Sequence, residues 1–185
     1  MSALYSIGAM NQLADTLENS DWTADDITKL KQFGNLKGIK DILYGKAEIK
    51  YPEHLIDCDA APFVPPGMTV EKHVKGGFWK FNPKKILLYL SRKQKKELIS
   101  GNDLQKDLEG KPVLNANVLD WLLAHPEFIP ENWKGKLIFF WGTIYRSSGG
   151  SLCVRYLGWD GTRWDWDYNY LDYNFNSSNP AALAS

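Results

Sequence analysis

Cysteine is scarce in this chain, and that scarcity excludes a good deal. Cys58 and Cys153 are the only two. Two thiols so far apart do not make a disulfide framework, and neither has a second cysteine near it to build a zinc site of cysteine type. Leu152 and Val154 flank Cys153 in an apolar run, which fits a buried free thiol. Long apolar stretches are missing too, since none approaches the ~20 residues a membrane helix needs. Met1 to Tyr5 shows no basic region followed by an apolar one, so no signal peptide is expected. The expectation is a reducing, cytoplasmic setting without membrane contact. An excess of one charge is also lacking, because Lys+Arg and Asp+Glu both number 22. A neutral total argues against a general polyelectrolyte binder.

Catalytic signatures are absent as well. There is no phosphate-binding Gly-x-x-x-x-Gly-Lys-Ser/Thr, no dinucleotide-binding glycine fingerprint and no Gly-x-Ser-x-Gly. Gly76-Gly77 and Gly149-Gly150 read as turns. No cofactor or metal is implied. Scattered residues can still assemble an active site, so this absence does not exclude an enzyme.

Aromatic residues are what the chain has in surplus. There are 25, with eight tryptophans, and residues 133–175 hold thirteen of them. A chain of 185 residues favours one domain able to bury its own core. Within it, the pattern changes along the sequence. Leu4, Ile7, Met10, Leu13, Ala14 and Leu17 recur at helical spacing. Thr23 and Asp26 form a capping-box-like start for a second helix carrying Ile27, Leu30 and Phe33. Leu36, Ile39, Ile42 and Leu43 predict a third, closed by Gly45. This helical sub-unit spans 1–50. Four prolines between 52 and 66 predict a loop or a seam near 60–68.

Residues 70–176 read as an α+β core. Lys85 to Leu90 is a short buried strand, and 91–97 is a polar connection. Asn102 to Leu108 makes one or two helical turns. Asn115 caps a helix carrying Val118, Leu119, Leu122 and Leu123, which Pro126 limits at or before His125. Strands follow at Leu137–Tyr145 and Leu152–Trp159. Asp160-Gly161 is a hairpin signal, and Trp164, Trp166, Tyr168 and Tyr170 then alternate with Arg163, Asp165, Asp167 and Asn169. A change of phase after Tyr170 requires a bulge or bend. The tail 177–185 reads as mostly loop. The fold class expected is α+β: N-terminal helices, a mixed middle, and a C-terminal antiparallel, aromatic-rich β-meander of three or four strands.

Leu114 to Gly135 (LNANVLDWLLAHPEFIPENWKG), followed by Phe139 to Arg146 (FFWGTIYR), resembles a stretch in uncharacterised bacterial proteins. Gln32 to Lys40 is similar to part of that family's helical N-terminus. The resemblance implies no activity and brings no functional residue with it.

Four constellations bear on function. Residues 72–96 carry Lys72, Lys75, Lys80, Lys84, Lys85, Arg92, Lys93, Lys95 and Lys96, with no acid between them. Phosphates are drawn to such a segment, and Phe78, Trp79 and Phe81 could stack on bases. Exposed lysines that keep a strand edge from aggregating are the plainer explanation. The aromatic stripe of Trp164, Trp166, Tyr168 and Tyr170 could be a stacking platform, or simply one face of the core. His54, Asp57, Cys58 and Asp59, with His73 farther on, could serve acid/base chemistry, although their spacing matches no metal motif. The N-terminal helices could form a helix-turn-helix, but the third holds only Lys37 and Lys40 and the unit is net acidic.

The leading expectation is therefore a non-enzymatic binding or interaction module for nucleic acid or another anionic ligand. Lys84, Lys85, Arg92, Lys93, Trp79, Trp164 and Trp166 would carry it. One alternative is a hydrolase or nuclease, metal-independent or metal-assisted, using acids near 57–59 with His54 or His73. The other is an assembly protein whose aromatic strands join copies into a homo-oligomer.

Overall fold

Side-chain caps open the three N-terminal helices. In the computed structural model, which describes residues 6–49 and 54–185, Ser6 Oγ accepts from the Ala9 N–H at 3.1 Å. It starts α1 (Ile7–Glu18). Thr23 and Asp26 complete a reciprocal capping box ahead of α2 (Ala24–Gln32). Asn35 accepts from Gly38 ahead of α3 (Leu36–Leu43), and Gly45 follows at φ +67°, a conformation that favours glycine. The spacing predicted all three; Leu4 lies outside the described residues. None of the residues 6–49 is buried. Ile7, Leu13, Leu36 and Leu43 remain at least half exposed. These helices form one compact unit within 1–50, and the remaining chain forms a second within 51–185.

The second unit contains β1 (Leu55–Asp57), β2 (Met68–His73), β3 (Phe78–Lys80), β4 (Ile86–Tyr89), β5 (Ile99–Ser100), α4 (Gly101–Asp107) and α5 (Ala116–Ala124). It continues with β6 (Ile138–Ser147), β7 (Leu152–Trp159), β8 (Trp164–Tyr170), β9 (Asn174–Phe175) and β10 (Ala181–Ala184). The main sheet runs β4-β10-β6-β7-β8, with β2 paired to β6 off that path. The strands β6, β7 and β8 form the antiparallel meander that the aromatic runs predict.

Burial on both faces explains why the run from Leu137 to Tyr145 is almost wholly apolar. Ile138 and Phe140 pack with Val118, Leu119 and Leu122 of α5 in one core. Phe139 and Trp141 pack with Leu104 and Leu108 in another. The β-strand period of two sends these neighbours to opposite sides.

One local expectation differs from what the chain does, and two others gain detail. Residues 177–185 are not mostly loop. Ala181–Ala184 is a buried strand between β4, which it meets antiparallel, and β6, which it meets parallel at Phe139. Alanine is a poor strand former, so its small size rather than propensity suits it to this enclosed slot. The polar connection 91–97 is partly interior. Ser91 and Gln94 are buried, and Gln94 Nε2 donates to the carbonyls of Asn176 and Asn179 at 2.8 and 2.7 Å. That side chain fixes the tail before β10. The meander has three strands, within the three or four expected: Leu171 and Phe175 are buried, but Asn174–Phe175 pairs with β5 in a separate two-stranded sheet.

The hairpin after β7 is also wider than its dipeptide suggests. Trp159 pairs with Trp164, leaving a four-residue loop, 160–163. Asp160 Oδ1 accepts from the amides of Thr162 and Arg163 and from the Thr162 hydroxyl. These bonds, the Arg163 amide first, hold the carboxyl down from its ordinary 3.8 to about 2. Because the folded pKa is depressed, this stabilisation is complete above about pH 4 and is lost as pH falls through 2. An NMR titration should place the Asp160 midpoint near 2, and Asp160→Ala should remove that acid-side loss of hairpin order.

Strand β8 is half-buried on both faces rather than cleanly divided. Trp164 and Trp166 pack on the core beneath α5, and Tyr168 and Tyr170 on a smaller cluster around Tyr145. Leu171 donates to Leu152 O, so odd-numbered amides of this strand face β7 and even-numbered ones face the open edge. Asp165 and Asp167 turn back and accept from the edge amides of Trp166 and Tyr168 at 2.8 and 2.7 Å. The acids thus seal an edge that would otherwise invite another strand.

Candidate functional site

All nine cations of 72–96 are exposed. Among the described residues none of them pairs with a carboxylate, whereas Lys29, Lys106, Lys134, Arg146, Arg155 and Arg163 all do. Even Glu71, the neighbour of Lys72, is held elsewhere, by Arg146 at 2.8 Å. The positive charge of this segment is therefore unneutralised.

The fold separates the predicted site residues. Lys84 and Lys85 lie in the 3-10 turn before β4, and Arg92 and Lys93 in the turn after it. Trp164 and Trp166 lie on β8. Strand order places β4 and β8 at opposite edges of the sheet, about 19 Å apart at the usual strand spacing. The cations and these two tryptophans do not line one groove. Trp164 meets Trp159 edge to face at 5.4 Å. Trp166 stacks on the guanidinium of Arg155, 4.2 Å from its ring centroid. Trp79 sits on β3, half-buried against the core.

The acids and histidines also have separate tasks. Asp57 Oδ1 accepts from the amides of Asp59 and Ala60, and Asp59 Oδ1 from those of Gly76 and Gly77. His54 packs edge-on against Phe128 at 4.4 Å. His73 bonds Thr143 Oγ1 through Nδ1 and the Cys58 carbonyl through Nε2, at 2.8 and 3.0 Å. Neither carboxylate meets an imidazole. Burial, with Asp57 and Asp59 adding to it, pushes the Cys58 thiol up to about 11. Burial does the same to Cys153, also to about 11. Both stay protonated near neutrality, which makes them weak nucleophiles. Among the described residues no three of His, Cys, Asp and Glu gather as a metal site.

A cleft does form within the cationic segment, for a topological reason. One edge of β6 is shared by two partners: β10 at Phe139, and β2 from Thr143 onward. Between them the Gly142 amide donates to Leu114 O and its carbonyl accepts from Val74. Only the extended passage 112–114 fills the gap, clamped to β10 through Val113 and Leu183. Two cavities flank this wedge, of about 330 Å³ and 230 Å³. They share Val74, Lys111 and Val113 in their walls. Lys72 and Trp141 line the larger, and Lys75 and Trp79 the smaller. Asn115 fixes the rim, since its Nδ2 donates to the carbonyls of Cys58 and Val74 at 2.8 and 2.9 Å.

Lys111 and Trp141 escape a reading of sequence alone. Lys111 is one lysine between Gly110 and Pro112, and Trp141 reads as one more strand aromatic. Only the divergence of β2 and β10 brings them beside Lys72 and Lys75.

No protein-family model matches the chain, and neither a curated protein nor a solved structure matches it. The architecture is that of an α+β protein, and none of its described helices is long and apolar enough to cross a membrane.

Proposed function

We propose that residues 51–185 form a non-enzymatic binding module for an anionic ligand, nucleic acid included. One observation carries this reading: nine exposed cations in 72–96 have no carboxylate partner among the described residues. Exposed lysines gain little from surface pairing, but a row left unpaired keeps its field for an incoming anion. The protonated thiols and the backbone-bound Asp57 and Asp59 favour binding over catalysis. The sealed edge of β8 counts against assembly by strand addition between copies. Two free, buried cysteines fit a reducing, cytoplasmic setting.

Charge reversal tests the proposal. A variant carrying Lys84→Glu, Lys85→Glu and Lys93→Glu should lose at least tenfold in affinity for a labelled single-stranded oligonucleotide at low salt. Equal reversal at Lys29, Lys31 and Lys37 should change it far less. Equal losses from both variants would contradict the assignment of 72–96.

A further inference from the structure

The cleft narrows the kind of anion. We propose that it seats a phosphate monoester carried on an apolar or aromatic body, an inference that rests on the anion-binding reading above. The phosphate lies beside Lys111, which both cavities share, with Lys72 in the wall of one and Lys75 in the wall of the other. The body occupies the smaller cavity, against Trp79 and Pro112.

Three observations converge on this. The first is charge balance. Lys72, Lys75 and Lys111 face the two cavities, and Glu109 is the one acid in their walls. A surplus of two positive charges matches a phosphate monoester, which carries roughly −1.5 to −2 near neutrality. Lysine serves phosphate well as a point charge. Lys111 is also held near its place by Tyr89, with Nζ 5.2 Å from the ring centroid.

The second is an unmet donor. Trp141 is 3% exposed, lines the larger cavity, and its indole N–H has no acceptor. A buried donor left unpaired is costly and rare. A phosphate oxygen beside Lys72 and Lys111 supplies the acceptor once a turn of the indole brings its enclosed N–H to the cavity. The third is shape. Val74, Val113, Pro112 and Trp79 give the smaller cavity an apolar lining, to which Lys75 and Lys111 add the charged groups. Small-molecule sites pair an apolar body with a few placed polar groups in this way.

The full-length chain should be titrated with adenosine monophosphate and, separately, with adenosine. The monophosphate should bind and adenosine should not. Lys111→Ala and Trp141→Phe should each weaken the monophosphate on the order of tenfold. Lys134→Ala, in neither cavity wall and paired with Glu131 in the parent, should leave it unchanged. The indole N–H resonance that disappears in Trp141→Phe should shift as the monophosphate is added. Lys111 is half-buried and outside the core clusters, so Lys111→Ala keeps the comparison should Trp141→Phe fail to fold. Affinity unchanged by Lys111→Ala, with no indole shift, overturns the inference. If an oligonucleotide still binds with steep salt dependence while the monophosphate does not, the cleft assignment falls and the broader reading stands. If neither binds at low salt, both fall.

Discussion

Gly142→Ala should destabilise the 51–185 unit by about 3 kcal/mol or more, the upper end of what overpacking costs. An added Cβ would lie 2.8 Å from both the Cα and the N of Asn115, and 2.9 Å from its Cβ. Two of these are backbone atoms at the start of α5, so no side-chain rotation relieves the contact. The position has no slack on its other sides either. The Gly142 amide and carbonyl bond Leu114 and Val74 at 2.9 and 2.7 Å. For a unit of this size the loss corresponds to a melting temperature lower by about 10 °C. Gly149→Ala is the control. Its added Cβ meets nothing closer than Ser147 Oγ at 3.8 Å, and its melting temperature should stay within about 2 °C of the parent. A Gly142→Ala protein as stable as the parent would show that β6 does not approach the start of α5 this closely at Gly142.

The second large effect is expected at Asp120. Its carboxylate grips Arg155 with both oxygens, at 2.7 and 3.2 Å. The Arg155 side chain is only 1% exposed, against 33% for that of Asp120. Phe63 and Trp166 cover the guanidinium, with ring centroids 5.0 and 4.2 Å away. Asp120→Ala leaves a buried cation without a counter-charge. Breaking a buried pair costs about 3–5 kcal/mol, and the partial exposure of Asp120 puts the expected loss near 3. Arg155→Met together with Asp120→Ala should recover much of that loss, because the stranded charge is gone and methionine fills the space. The Arg155 Nε–H, buried without an acceptor, adds to the gain from removing it. Chemical denaturation of the three proteins measures this. A double variant no more stable than Asp120→Ala would mean that Arg155 contributes chiefly through its stacking on Trp166.

Both residues bear on what the sequence shows and what it hides. The helix starts at Thr23 and Asn115 are local events, written in a cap and an apolar stripe, and they are legible. So are β6, β7 and β8, because a strand buried on both faces and a strand at an edge leave different hydrophobic patterns. The exposed cations are legible too, as a run without acids. What is hidden depends on pairing across distance. The tail Ala181–Ala184 has no strand propensity, and becomes a strand only because β4 and β6 leave an alanine-sized slot. Arg155 reads as the one polar residue of a buried strand, and nothing nearby announces Asp120, 35 residues earlier, or Phe63 above it. The cleft is hidden for the same reason. It exists where β2 and β10 take separate halves of one strand edge, and the wedge between them brings Lys111 to Lys72 and Lys75. Trp164 and Trp166 show the converse. Their pattern suggests a platform, yet their packing against Trp159 and Arg155 gives them structural partners.

Under the proposed function, the unpaired cations of 72–96 receive anions. The most direct test is the affinity of the full-length protein for a labelled single-stranded oligonucleotide between 20 and about 200 mM salt. Measurable binding is expected at the low end, with a steep, linear fall of log affinity with log salt. No binding at low salt, or binding that ignores salt, would contradict it.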